Sequence, residues 1–298
     1  MCLGGVTVSA MGWTAADLPS FAGRTVIVTG ANSGLGAVAA GELARVGAQV
    51  IVAARNTEKG EAAARQMTGN VEVRRLDLQD LASVRDFADT IDRVDVLINN
   101  AGIMATPEAR TVDGFESQIG TNHLGHFALT NLLLPKLTDR VVTVSSFFHW
   151  MGRINLHDLN WQSRRYSRWL AYGQSKLANL LFTSELQRRL DSVGSPLRAV
   201  AVHPGYSRTN LQGHSGNRVE DALMAIGNRF FATDADFGAR QTLYAASQDL
   251  AGDTFIGPRF GMLGRTQPVA RSPLAKREST AAALWELSEQ LTGVKFPL

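Results

Sequence analysis

Tyr172 and Lys176 stand four residues apart, so on a helix they share one face. An ammonium beside a phenol favours the phenolate and draws a tyrosine down from its ordinary pKa of about 10. That pairing makes Tyr172 a candidate general acid/base toward an alcohol or carbonyl oxygen. A hydroxyl at Ser146 would donate a hydrogen bond to the same oxygen as charge develops there. A second constellation lies near the N-terminus, in Thr29-Gly30-Ala31-Asn32-Ser33-Gly34-Leu35-Gly36. Gly30 permits a tight exit from a strand, and Gly34 lets the backbone approach a pyrophosphate. Gly36 allows the next helix to pack closely, with its N-terminus facing the phosphate charge. The spacing is GxxxGxG rather than GxGxxG. About 20 residues further on, Ala54-Arg55-Asn56 occupies the place where an acid would grip the ribose hydroxyl of NAD. An arginine there suits the 2′-phosphate of NADP instead, and Ala54 removes a repelling carboxylate. Ser33 adds no second basic contact, so Arg55 alone carries the preference for NADP(H) over NAD(H).

Elements that must position these groups alternate along the chain. Short β-branched runs fall at 25–29, 50–53, 71–76, 94–98, 141–145 and 198–202, with a seventh around 254–256. Helical stretches begin near Leu35, Thr57, Leu81, Gly114 and Tyr172, and two more cover 237–248 and 280–291. Near-continuous apolar strands spaced by helices predict an α/β, Rossmann-type, doubly wound parallel sheet of about seven strands with helices on both faces. Residues 1–20 read as an N-terminal arm, disordered over 1–10. Residues 21–298 read as one domain with substrate-side insertions at 147–171 and 206–233.

Further motifs arrive in order: Leu76-Asp77-Leu78, Asn99-Asn100-Ala101-Gly102, Asn122, Ser145-Ser146, Tyr172-Gly173-Gln174-Ser175-Lys176 and Pro204-Gly205. With the glycine loop, this series resembles the short-chain dehydrogenase/reductase family from about Arg24 to Thr209. The resemblance implies a catalytic set of Asn122, Ser146, Tyr172 and Lys176. In it Tyr172 donates the proton, Lys176 binds the nicotinamide ribose, Ser146 orients substrate and Asn122 holds a proton-relay water. It carries the serine's role to Ser146 rather than Ser145. It places Asp77 and Leu78 at the adenine and Asn100, Ala101 and Gly102 beside the adenosine ribose. Gly30, Asn32, Ser33, Gly34, Leu35, Gly36, Pro204, Gly205 and Thr209 complete the implied cofactor site, Thr209 at the carboxamide. Family members usually associate as homodimers or homotetramers.

The serine of common family members stands closer to its tyrosine, whereas 26 residues separate Ser146 from Tyr172 here. The added length carries Phe147, Phe148, His149, Trp150, Trp161, Tyr166 and Trp169. Together with Arg55-Asn56 and His203-Pro204-Gly205, this spacing resembles the retinol dehydrogenase-like branch. The branch implies a small apolar alcohol or carbonyl substrate. The aromatics read either as an apolar wall for it or as a local packing cluster. The opening residues lack the N-terminal anchor that membrane-bound members often carry, which argues against retinoids themselves.

Composition narrows the classes. One cysteine, Cys2, leaves no internal disulfide, cysteine zinc site or iron–sulfur cluster. Thirty basic residues against 27 acidic ones, scattered along the chain, give no basic stripe for nucleic acid. No run approaches the roughly 18 apolar residues of a membrane span, and the opening has no basic region of a signal peptide. The expectation is a cytoplasmic NADP(H)-dependent oxidoreductase, with no metal and no membrane anchor. The alternative is a non-catalytic, NADP(H)-binding, redox-sensing regulatory protein.

Overall fold

The computed structural model describes residues 12–205 and 235–298. Seven strands run parallel: β1 (Thr25–Thr29), β2 (Gln49–Ala54), β3 (Asn70–Arg75), β4 (Val94–Asn99), β5 (Leu137–Val144), β6 (Arg198–Val202) and β7 (Phe255–Pro258). An eighth, β8 (Thr266–Pro268), pairs antiparallel with β7, and the order across the sheet is β3-β2-β1-β4-β5-β6-β7-β8. The sheet therefore has one strand more than the sequence suggests. β8 is three residues long, with partly exposed side chains and a proline, and carries no apolar run to announce it.

The helices are α1 (Gly34–Arg45), α2 (Thr57–Ala64), α3 (Leu81–Asp89), α4 (Ser117–Ile119), α5 (Gly125–Leu133), α6 (Arg168–Ser192), α7 (Ala235–Ser247) and α8 (Glu278–Thr292). A π-helical turn, Gly120–Leu124, joins α4 to α5. The sequence starts the sixth helix near Tyr172. It begins four positions earlier, at Arg168, which puts Tyr172 in its second turn.

Alternation along the strands builds two cores. Val26, Val28, Val50, Val52, Val96 and Ile98 face α1 and α7, packing on Ala39, Leu43 and Leu243. Ile27, Ile51, Leu97 and Val141 face the other way, against Phe87, Phe127, Phe182 and Trp285 of α3, α5, α6 and α8. On α6, Leu177, Leu180 and Leu181 pack against Phe115, Ile119 and Leu284 within the same chain. These leucines are core rather than a free face for a partner. Among the described residues no helix is long and apolar enough to cross a membrane.

Burial holds the His126 and His203 imidazoles down to about 4 and His123 to about 3, against an ordinary 6.5. Unfolded chains take up these protons near pH 6.5, whereas the folded chain refuses them until the lower values are reached. The stability is complete above pH 6.5 and is lost as the pH falls toward 4. Calorimetry from pH 7 to 4 is expected to give a steadily falling thermal midpoint. A midpoint flat across that range would contradict it.

Candidate active site

Chain reversal between β1 and β4 leaves a crevice at the carboxyl ends of the strands. A cleft of about 580 Å³ opens there, lined by the segments that follow seven strands in turn. It takes in Gly30, Asn32, Ser33, Gly34, Leu35, Gly36, Arg55, Asp77, Leu78, Asn100, Ala101 and Gly102. At its other end it is lined by Ser146, Tyr172, Lys176, Pro204 and Gly205. Asn122 lies just behind the lining, fully buried, and Thr209 lies outside the described residues.

The glycine loop has the conformation its sequence implies. Gly30 and Gly34 are left-handed, at φ +67° and +57°. A Cβ on Gly36 would stand 2.4 Å from the Asn100 amide nitrogen, so α1 rides directly on the turn after β4. Ser33 occupies the N-cap of α1 without turning its hydroxyl onto the helix amides, which leaves that helix end open to an anion. Arg55 stands at the rim, and Lys59, from the first turn of α2, lines the same end. Lys59 is the second cation that the sequence does not locate. Asn56 caps α2 by accepting from the Lys59 amide at 2.8 Å, and so sets Lys59 beside Arg55. This open, cation-edged glycine cradle fits the phosphates of a dinucleotide.

Thr29, at the end of β1, ties the loops together. Its hydroxyl accepts from the backbone amides of Asn100 and Ala101, each at 2.9 Å. It stands 2.9 Å from His126 Nε2. His126 Nδ1 donates to the Asn122 carbonyl at 3.1 Å, so in the neutral ring Nε2 accepts from Thr29. The Asn122 amide donates to the Ile103 carbonyl and to Ser175 Oγ, and its Oδ1 accepts from the Ile103 amide. His126 thus neighbours the cofactor-side turn, whereas His123 packs on Phe127 and Phe182 and meets Ser288 Oγ at 2.9 Å. Among the described residues no group of three or more His, Cys, Asp or Glu side chains could hold a metal ion.

The two serines separate clearly. Ser145, almost fully buried in the cleft wall, donates its hydroxyl to the Lys176 carbonyl at 2.7 Å. Ser146 faces the cleft and shares a hydrogen bond with the Tyr172 hydroxyl. Burial pushes Tyr172 up to about 12, against which the Ser146 hydrogen bond pulls down. Burial also pushes Lys176 down to about 8. Its ammonium lies 5.8 Å from the Tyr172 ring centre and donates to the Val144 carbonyl at 3.1 Å. The phenol is therefore held protonated in this geometry, where the sequence predicts a lowered pKa. A helical i,i+4 pairing says nothing of the desolvation that dominates here.

The structure divides the aromatic insertion between the cleft and a local packing cluster. Phe147, Phe148 and Trp169 line the cleft beside Tyr172, with Phe148 stacked on Trp169 at 5.2 Å. Trp161 and Tyr166 instead close a local cluster, where Arg164 lies 3.6 Å over the Trp161 ring and pairs with Asp158. Met262, from the β7–β8 connection, adds to the cleft wall from a stretch the sequence leaves unmarked.

An open parallel sheet with such a cradle at its reversal point defines a dinucleotide-binding α/β protein. The chain belongs to the short chain dehydrogenase family, whose sequence profile matches residues 24–220. It is 44% identical to human "Retinol dehydrogenase 13" over 291 residues, covering 92% of this chain and 86% of that protein. Identity to human "Retinol dehydrogenase 12" is 42% over 290 residues, with 92% and 88% covered. Among solved structures, an uncharacterized protein from Mycobacterium paratuberculosis is 73% identical, with a TM-score of 0.87, 96% of this chain and 100% of that chain covered. The "RhlG/NADP active-site complex" of Pseudomonas aeruginosa matches at 25% identity and a TM-score of 0.63, covering 80% and 95%. The protein is an oxidoreductase of CH–OH and C=O groups that uses a nicotinamide cofactor.

Replacing Thr29 by valine keeps the shape of the hub, strands the Ala101 amide and an imidazole nitrogen, and leaves the Asn100 amide only its bond to the Ile98 carbonyl. Urea unfolding of Thr29→Val is expected to lose about 2–4 kcal/mol. A loss below about 0.5 kcal/mol would mean the hydroxyl does not organise these loops.

Proposed function

We propose that the protein is an NADP(H)-dependent reductase of apolar aldehydes and ketones, acting also on the matching alcohols, with Tyr172 as general acid/base. One observation carries this reading. A single cleft joins a cation-edged glycine cradle to the Ser146–Tyr172–Lys176 group beneath an aromatic wall. Bound NADPH supplies the hydride.

In this reading the glycine loop and the N-terminus of α1 hold the pyrophosphate. Arg55 and Lys59 receive the 2′-phosphate. Asp77 and Leu78 border the adenine, and Asn100, Ala101 and Gly102 border its ribose. Lys176 would bind the nicotinamide ribose, with Pro204 and Gly205 at the same end of the cleft. Ser146 donates to the substrate oxygen, and Phe147, Phe148, Trp169 and Met262 enclose the apolar remainder.

Because burial keeps Tyr172 protonated far above neutrality, it is poised to give a proton to a carbonyl oxygen as the carbon is reduced. The phenolate left behind is stabilised by the Lys176 ammonium and the Ser146 hydrogen bond. Asn122 has spent its side chain on Ile103 and Ser175. In this reading the relay water meets the Asn122 backbone carbonyl, which the His126 ring also reaches at 3.1 Å. A regulatory protein that only senses NADP(H) has no use for a buried proton donor, so turnover is the stronger reading.

NADPH oxidation is to be followed with octanal, decanal, benzaldehyde and, because of the relatives' names, all-trans-retinal. Tyr172→Phe is expected to lose ~10²–10⁴-fold in kcat with NADPH affinity retained. Unchanged turnover would remove Tyr172 from the reaction. Cofactor choice is tested by Arg55→Asp combined with Lys59→Ala, which should raise KM for NADPH at least about tenfold and narrow the gap to NADH. An unaltered preference would place the 2′-phosphate elsewhere. Since Lys176 loses its proton near pH 8, reductive kcat/KM should decline as the pH rises through that value. In Lys176→Arg the decline should move upward, because guanidinium stays charged. A decline at the same pH in both would assign it to another group.

A further inference from the structure

His149 is buried beside the site, and the proposed chemistry makes no use of it. It belongs to the 3-10 helix Phe147–Met151, whose N-cap is Ser146. The His149 backbone amide donates to the Ser146 carbonyl at 3.1 Å. Its ring Nδ1 reaches the same carbonyl at 2.7 Å. On the far side of the ring, Nε2 lies 3.1 Å from the Ser272 backbone nitrogen, 123 residues along the chain.

These contacts determine the tautomer. A backbone amide only donates, so Nε2 is the acceptor. A carbonyl only accepts, so Nδ1 carries the proton. An imidazolium would leave the Ser272 amide facing another donor, and Arg271 close by opposes the added charge. His203, buried nearby, opposes it as well. Behind the ring, Ser272 is held in place because Arg271 bonds Asp253 Oδ1 at 2.7 Å and Ser184 Oγ at 2.5 Å. Phe255 meets the ring edge-on at 5.6 Å. The imidazole is a rigid strut between the β8–α8 connection and the Ser146 backbone. Ser146 in turn accepts the Phe148 amide on its Oγ at 3.2 Å and bonds the Tyr172 hydroxyl.

We infer that His149 is a positioning residue for the reaction: its Nδ1–H, braced from behind by the Ser272 amide, fixes the Ser146 backbone so that the serine hydroxyl stays aimed at Tyr172 and the substrate oxygen. The inference rests on the role proposed above for Ser146. Its consequence is specific to one ring nitrogen. Asparagine places an amide NH₂ where Nδ1 stands and has nothing at the Nε2 position. Glutamine reaches the Nε2 position and has only a methylene at the other. His149→Asn keeps the strut's catalytic end, and His149→Gln keeps its anchoring end.

The test compares His149→Asn, His149→Gln, Ser146→Ala and the Ser146→Ala/His149→Gln double variant, using NADPH and the fastest aldehyde of the panel above. His149→Gln should lose on the order of tenfold or more in kcat, with NADPH affinity unchanged, as expected for a misaligned hydroxyl. His149→Asn should retain clearly more kcat than glutamine, although glutamine is nearer histidine in size. In the Ser146→Ala background the glutamine change should cost little more, because the group it misaligns is gone. If Ser146→Ala is active, the role of Ser146 fails and the inference with it. If Ser146→Ala is impaired and glutamine equals or exceeds asparagine, or the two losses multiply in full, the inference alone is overturned.

A second measurement needs no substrate. Among the protein's six histidines, ¹⁵N spectra can assign His149 by its disappearance in the asparagine variant. A ring protonated on Nδ1 at neutral pH supports the strut. A ring protonated on Nε2 overturns it.

Discussion

The structure depends on what happens where the sheet reverses direction. β1 pairs with β2 on one side and with β4 on the other, so the chain ends diverge above them and a crevice must form. Open backbone at such a point needs partners, and the Thr29 hydroxyl supplies them to both amides of the turn after β4. His126 extends that bond to the Asn122 carbonyl, so the glycine loop, the Asn100–Gly102 turn and the π-helical turn are set by one connected group. The Asn122 amide carries the connection on to Ser175 of α6, so the cradle and the Tyr172 end are joined through one hydrogen-bonded group.

Desolvation sets the chemistry that this frame presents. Tyr172 and Lys176 are both almost wholly buried, and each is pushed toward its neutral form, to about 12 and about 8. The same effect keeps His123, His126 and His203 neutral, and at His126 it lets the ring act as a one-way hydrogen-bond connector instead of a charge. A dry site with a protonated phenol, a serine hydroxyl and an ammonium is arranged for giving a proton to an oxygen. The aromatic side chains of Phe147, Phe148 and Trp169 stand beside it, and the proposed function gives them the apolar part of the substrate.

Much of this is legible in the residues. Strand runs such as TVIVT and RAVAV coincide with β1 and β6, because buried parallel strands have no polar face to blur them. The glycine loop is equally readable, since left-handed backbone at Gly30 and Gly34 leaves few residue choices. Less legible are features built by distant packing. Nothing in Thr266–Pro268 marks a strand, and nothing near Ser272 marks it as the brace of His149. Lys59 is a surface-type residue in an unremarkable helix until the Asn56 cap turns that helix toward the cleft. The rise in Tyr172 is likewise a property of its surroundings, which a four-residue spacing does not contain.

In the proposed function one cleft delivers a hydride from NADPH and a proton from Tyr172 to the same carbonyl group. Reduction of decanal with NADPH deuterated at the transferable C4 position, read by mass spectrometry of the decanol, addresses it directly. One deuterium is expected on the carbinol carbon with the wild-type protein, and almost no labelled product with Tyr172→Phe under the same conditions. Labelled decanol formed equally fast by both proteins would contradict it.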